Sequence, residues 1–180
     1  MRLKIEQQSP QFTTKDITGK PILLSDYRGK KLMQCFFRYA GCPFCNLALF
    51  KIIERYPLLK SQGLNIIAFF QSAKELVHKY PAKQNPPFPL VSDPQKKIYK
   101  KFGVESSVAG ALRTIPKMPN FYDATVKHGF KQPHIDGDFF LMPAYFLIGP
   151  PKFTIQNLYY SESFADEVPF IHVEDFLLFG

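Results

Sequence analysis

The 180-residue chain has no tryptophan and only three cysteines, and no apolar run in it approaches twenty residues. The last absence excludes a bilayer-spanning helix, which needs about 20 consecutive apolar residues. An odd number of cysteines argues against a secreted disulfide framework, and in a reducing compartment a close cysteine pair is catalytic or metal-binding. Met1-Arg2-Leu3-Lys4-Ile5-Glu6-Gln7-Gln8 offers neither an apolar stretch nor a small-residue cleavage site. No secretory signal is read there, and the expected location is the cytoplasm. Acidic residues are the minority charge, 15 against 23 Lys and Arg, for a net +8. The excess sits in scattered pairs, Lys30-Lys31, Lys96-Lys97 and Lys100-Lys101, not in one basic and aromatic stripe. Neither nucleic acid nor a membrane is therefore an expected partner.

What is present is ordinary for a folded chain: 46% apolar and 21% charged residues, with 19 Phe and 9 Tyr. The length predicts one domain over 1–180. The segment 12–28 reads as a hairpin-like opening, with turn chemistry at Thr18-Gly19-Lys20-Pro21. The apolar runs 31–37 and 64–70 read as buried strands. Between them, Leu47, Phe50, Ile52, Ile53, Leu58 and Leu59 recur at helical spacing up to a stop at Ser61-Gln62-Gly63, with Pro57 expected to kink or end the helix. Strand, helix, strand predicts a parallel pair with a right-handed crossover. Further helices are predicted at 72–80, begun by a Ser72 cap with Glu75, and at 93–102, begun by Asp93-Pro94. The segment 105–140 reads as an insertion with long loops, including a short helix at 107–112. Strands follow at 144–148 and 153–160, then a last helix from Asp166 to about 179.

Chemistry concentrates at Cys42-Pro43-Phe44-Cys45, between the first buried strand and its helix. A helix N-terminus presents unpaired N–H groups and a partial positive charge, which favours a thiolate over a thiol. The thiolate is the nucleophile of disulfide exchange, and cysteines in this spacing at helix starts have lowered pKa values. Pro43 suits the first helical position, where its missing N–H costs nothing. Two other readings stand beside the redox one. A zinc half-site would need a second ligand pair, and His78, His128, His134 and His172 are isolated. Alternatively, the two cysteines are simply small core residues, as Cys35 within its apolar strand is expected to be.

The run Lys30-Lys31-Leu-Met-Gln-Cys-Phe-Phe-Arg-Tyr-Ala-Gly-Cys-Pro-Phe-Cys45 resembles the peroxiredoxin-like branch of the alkyl hydroperoxide reductase/thiol-specific antioxidant (AhpC/TSA) family. Ile22-Leu-Leu-Ser-Asp-Tyr-Arg-Gly-Lys30 and Met142-Pro143-Ala-Tyr-Phe-Leu-Ile148 resemble its flanking segments. The resemblance implies an α/β, thioredoxin-like fold: a central mixed sheet flanked by helices, with the N-terminal hairpin as an extension and 105–140 inserted before the penultimate strand. It further implies a thiol-disulfide oxidoreductase or thiol-dependent peroxidase without cofactor or metal. Such an enzyme takes a peroxide or disulfide substrate and electrons from a thioredoxin- or glutathione-type thiol donor.

The family pattern Pro-x-x-x-Thr-x-x-Cys places its peroxidatic cysteine at Cys45, its Thr at Cys42 and its Pro at Arg38, while its supporting arginine would fall near Pro143. Thioredoxin logic instead makes Cys42 the attacker, as the more exposed cysteine, and expects a cis bond at Met142-Pro143. The expected site is therefore Cys42 and Cys45, supported by Arg38, Pro43 and Pro143, with Arg113 a weaker source of positive charge. The alternative class is a non-catalytic thioredoxin-fold binding or regulatory protein using 105–140 as its contact surface.

Overall fold

The structure, a computed structural model, describes residues 1–130 and 135–180. His134, named above, and part of the 105–140 segment lie outside the described residues. Strands β1 (Thr13–Lys15) and β2 (Pro21–Leu23) pair antiparallel in the expected hairpin. The central sheet contains β3 (Lys31–Phe36), β4 (Leu64–Phe70), β5 (Leu90–Ser92), β6 (Ala144–Gly149) and β7 (Thr154–Tyr160). Their order is β5-β4-β3-β6-β7, with β3, β4 and β5 parallel and β6 and β7 antiparallel to their neighbours. This is the mixed sheet that the resemblance implied.

The strand period of two divides the core between the sheet faces. Met33, Cys35 and Phe37 point to one face, where α1 (Pro43–Ser61) and α6 (Phe170–Phe179) contribute Leu49, Ile52, Val173 and Phe176. Leu32 and Phe36 point to the other, against Ile98 and Tyr99 of α3 (Lys97–Lys101). Each buried aliphatic or aromatic side chain of this kind contributes about 1.5–3 kcal/mol relative to exposure.

Several element ends differ from expectation. Helix α1 runs through Pro57 to Ser61 without ending there. Pro57 lies on the exposed side, where the hydrogen bond it removes can be replaced by water. Gly63, at φ +86°, then stops the chain as expected. Ser72 does not cap α2 (Lys74–Lys79), because its hydroxyl accepts a 2.7 Å hydrogen bond from the Ala40 N–H. Asp93 does cap, accepting from the Lys97 and Ile98 amides at 3.0 and 2.7 Å, but Lys96 is left-handed at φ +54° and delays α3. Likewise α6 begins at Phe170, since Asp166 is consumed in a loop.

The described part of segment 105–140 is more helical than loop-like, with α4 (Val108–Leu112), α5 (Met118–Tyr122) and a π-turn at Asp123–Lys127. Its two ends are clamped together: the Met142 amide donates to the Glu105 carbonyl at 3.0 Å, and the Ser107 amide to Phe140 at 2.8 Å. Between those ends it lies over the first half of α1, with Phe121 on Phe44 and His128 on Phe50. Among the described residues no helix is long and apolar enough to cross a membrane.

Candidate active site

Strand β3 ends at a crowded corner. The Phe37 carbonyl accepts from the Tyr99 hydroxyl at 2.6 Å, and the Arg38 carbonyl from the Gln71 amide at 3.2 Å. The loop that follows is held from several sides. Ser72 fixes the Ala40 amide, while the Asn46 side-chain amide donates to the Ala40 and Cys42 carbonyls at 2.7 and 2.9 Å. Cys42 is the cap residue of α1 and Pro43 its first residue, so Cys45 falls in the first turn. The expected pair is thus brought together at a helix N-terminus.

Both cysteines are buried, Cys42 at 0% and Cys45 at 2% exposure, which corrects the expectation that Cys42 is the more exposed. The site is covered where Phe139 and Phe164 lie against Arg38 and Phe121 against Phe44. Arg38 is buried too, at 2%. Its Nη1 donates to Cys42 Sγ at 3.3 Å and its Nη2 to the Phe139 carbonyl at 2.5 Å, while its backbone N–H donates to Cys45 Sγ at 3.4 Å. The guanidinium carbon lies 3.5 Å from the centre of the Phe164 ring. One arginine therefore touches both sulfurs.

The two thiols are electrostatically unequal. Burial alone pushes the Cys42 thiol up. A hydrogen bond from Cys45, the Arg38 charge and the Cys45 and Phe44 amides outweigh burial and lower it to about 6. For Cys45, burial, its hydrogen bond to Cys42 and the Cys42 charge all push upward, and the thiol stays protonated well above its ordinary range. Cys35 is pushed up by burial and lies in the core, as expected. All three cysteines are free.

The remaining candidates divide. Pro143 precedes β6, whose Ala144 pairs with Phe36, so it sits beside the strand end that leads into the cysteine loop. Its bond to Met142 is not cis; the cis bond among the described residues is Pro150–Pro151. The Met142 amide and Pro143 carbonyl are both engaged, with Glu105 and Ser161, as an extended lead into the strand. Arg113 is not at the thiols: it is exposed and faces Glu162 at 3.5 Å. Among the described residues no three His, Cys, Asp or Glu side chains converge as a metal site.

Sequence reasoning missed Tyr39, Asn46, Gln71, Ser72, Phe139 and Phe164. Tyr39 and Asn46 flank the motif and were legible as polar groups adjoining it. The others arrive from distant segments and left no local signal. A strap at Asp138 closes the roof: Gln71 donates to its carbonyl at 2.6 Å and accepts from its amide at 3.0 Å, and Lys96 pairs with its carboxylate at 2.7 Å.

The pattern of the AhpC/TSA family matches residues 5–150. The chain belongs to this family. Peroxiredoxin Q of Sedum lineare chloroplasts is 30% identical over 103 residues, covering 57% of this chain and 55% of that protein. The chain spans about half the length of such curated relatives. Among solved structures, peroxidoxin BcpB of Mycobacterium tuberculosis superposes at a TM-score of 0.69 with 16% identity, over 98% of this chain and 96% of that one. Peroxiredoxin Q of Xanthomonas campestris superposes at 0.63 with 17% identity, over 93% and 87%. These neighbours share the family's thioredoxin-like fold.

Proposed function

We propose that the chain is a thiol-dependent peroxidase in which Cys42 attacks and Cys45 resolves. The observation that carries this reading is the Arg38 guanidinium 3.3 Å from Cys42 Sγ, at the N-terminus of α1. The Cys42 thiolate displaces alkoxide from the peroxide, forming the sulfenic acid, and the alkoxide takes up a proton. The Cys45 thiol then attacks the sulfenic sulfur, releasing water and leaving the Cys42–Cys45 disulfide. One peroxide, two thiol electrons and one proton per thiolate thus give one alcohol, one water and one disulfide. A thioredoxin- or glutathione-type thiol restores the pair. Free thiols and this electron supply fit a reducing compartment such as the cytoplasm.

Cys45→Ser tests the roles. One equivalent of hydrogen peroxide is expected to leave a dimedone-reactive sulfenic acid on Cys42 of this variant, and Cys42→Ser is expected to react no faster than free cysteine. Rapid oxidation of Cys45 in Cys42→Ser would reverse the assignment. A fast reaction with a small disulfide but not with peroxide would make the protein a thiol-disulfide reductase instead.

The non-catalytic reading draws support from Val108, Leu112, Ile115, Met118, Tyr122 and Val126, each about half exposed or more on one segment. A protein of that class retains its function in Cys42→Ser/Cys45→Ser.

A further inference from the structure

Two hydrogen-bond donors beside the thiol pair are buried and have no partner among the described residues: the Tyr39 hydroxyl and Arg38 Nε. Buried polar groups are ordinarily paired, and leaving one unsatisfied is costly. The neighbourhood had ways of avoiding this. Arg38 spends its other two nitrogens on Cys42 and Phe139, and every loop carbonyl and amide around Tyr39 that Ser72 and Asn46 reach is bonded. The Tyr39 ring packs under the Arg38 guanidinium at 5.1 Å, and its side chain is fully buried. The residue is tied to the site on two sides, by the guanidinium that contacts Cys42 Sγ at 3.3 Å and by the Cys42 amide, which donates to the Tyr39 carbonyl at 3.1 Å.

We propose that Tyr39 is a catalytic residue whose hydroxyl donates to the leaving oxygen of a peroxide attacked by the Cys42 sulfur. This rests on the peroxidase reading and adds a donor to it. Attack by a thiolate puts negative charge on the departing oxygen as the O–O bond breaks. A preorganised donor in a water-excluded site stabilises that charge without reorganising. Burial and then the Cys42 charge push the Tyr39 phenol up, so it is a neutral donor at neutral pH, where Cys42 is a thiolate. The proton it lends stays on its oxygen; the alkoxide is neutralised from solvent once the roof opens. Arg38 Nε is the second donor available to the same oxygen, which leaves Nη1 on the sulfur through the step.

Tyr39→Phe deletes the hydroxyl and keeps the ring under Arg38, so fold and thiolate are retained. Wild type and variant are compared in single-turnover oxidation by hydrogen peroxide, in exchange with cystamine, and in alkylation of Cys42 by iodoacetamide. The expected result is a loss on the order of 10²-fold with peroxide, with cystamine and iodoacetamide rates unchanged, since neither reagent breaks an O–O bond. Equal, rapid peroxide rates in the two proteins overturn the Tyr39 assignment and leave the peroxidase reading standing. Rates no faster than free cysteine in both overturn the peroxidase reading and the Tyr39 assignment with it. A parallel loss with all three reagents shows that Tyr39 only shapes the pocket, and also overturns the assignment.

Discussion

Replacing Arg38 with methionine keeps apolar bulk against Phe164 and removes the cation that holds Cys42 as a thiolate. At 3.3 Å, two unit charges in surroundings of effective dielectric constant about 20 attract by roughly 5 kcal/mol. The guanidinium spreads its charge over three nitrogens and only Nη1 touches the sulfur, so about half of that, roughly 2–3 kcal/mol, is the expected share. That corresponds to about 2 pKa units. Iodoacetamide alkylation of Cys42, followed by mass spectrometry against pH, should then show its inflection move from about 6 in the wild type to about 8 in Arg38→Met.

At pH 7 the alkylation rate should fall about tenfold. Stability must move with it. A thiol lowered on folding adds stability above its ordinary pKa, and that stability is lost as pH falls through about 6. Cys45, raised on folding, has the opposite sign: its contribution is present below the ordinary thiol pKa and is lost as pH rises beyond it. Reduced wild type should therefore gain stability between pH 6 and about 8.5, and Arg38→Met should gain much less. An unmoved alkylation inflection in a folded variant would show that the helix terminus, not Arg38, makes the thiolate.

Two further perturbations address the roof and the sheet. Gln71→Ala removes both hydrogen bonds to the Asp138 backbone, at about 0.5–1.5 kcal/mol each, so the native thiols should react with Ellman's reagent about tenfold faster. An unchanged rate would show that access does not run through the Asp138 strap. Gln34 is fully buried in β3 with neither end of its amide partnered among the described residues, so Gln34→Leu should raise stability by about 1–2 kcal/mol in urea melts. A lowered midpoint would mean that the amide is satisfied in solution.

The sheet was legible where hydrophobic runs were long. β3, β4 and β6 were read close to their observed ends, because short segments made almost wholly of apolar residues have few other uses. β5 was missed because Leu90-Val91-Ser92 is three residues long and follows a proline-rich stretch. Its pairing to β4 is a tertiary fact. Ser72 was misread as a cap for the same reason: locally it precedes a helix, yet its hydroxyl is taken by Ala40, 32 residues earlier. The cysteine pair, Pro43 and Arg38 were legible because the motif is contiguous. The roof was not, since Phe139 and Phe164 reach Arg38 from more than 100 residues away.

The departures from the family pattern make physical sense together. Arg38 stands at the pattern's proline and Cys42 at its threonine, while Pro143 stands near its arginine. Placing a second thiol at the cap of α1 creates a sulfur that the amides of Phe44 and Cys45 and the Cys45 S–H all point toward. A cation that reaches that sulfur adds to them in favouring its thiolate. A proline at position 38 has no charge to offer, and an arginine there does so from one turn of loop away, at 3.3 Å. The same contact disfavours Cys45, because a thiolate at Cys42 repels a second charge beside it in a dry pocket. A site that used Cys45 as attacker would have to give up the Arg38–Cys42 contact and transfer the Cys45 proton first. Arg38 and Cys42 therefore belong to one device, and reverting either alone should leave a poorer nucleophile than the pair.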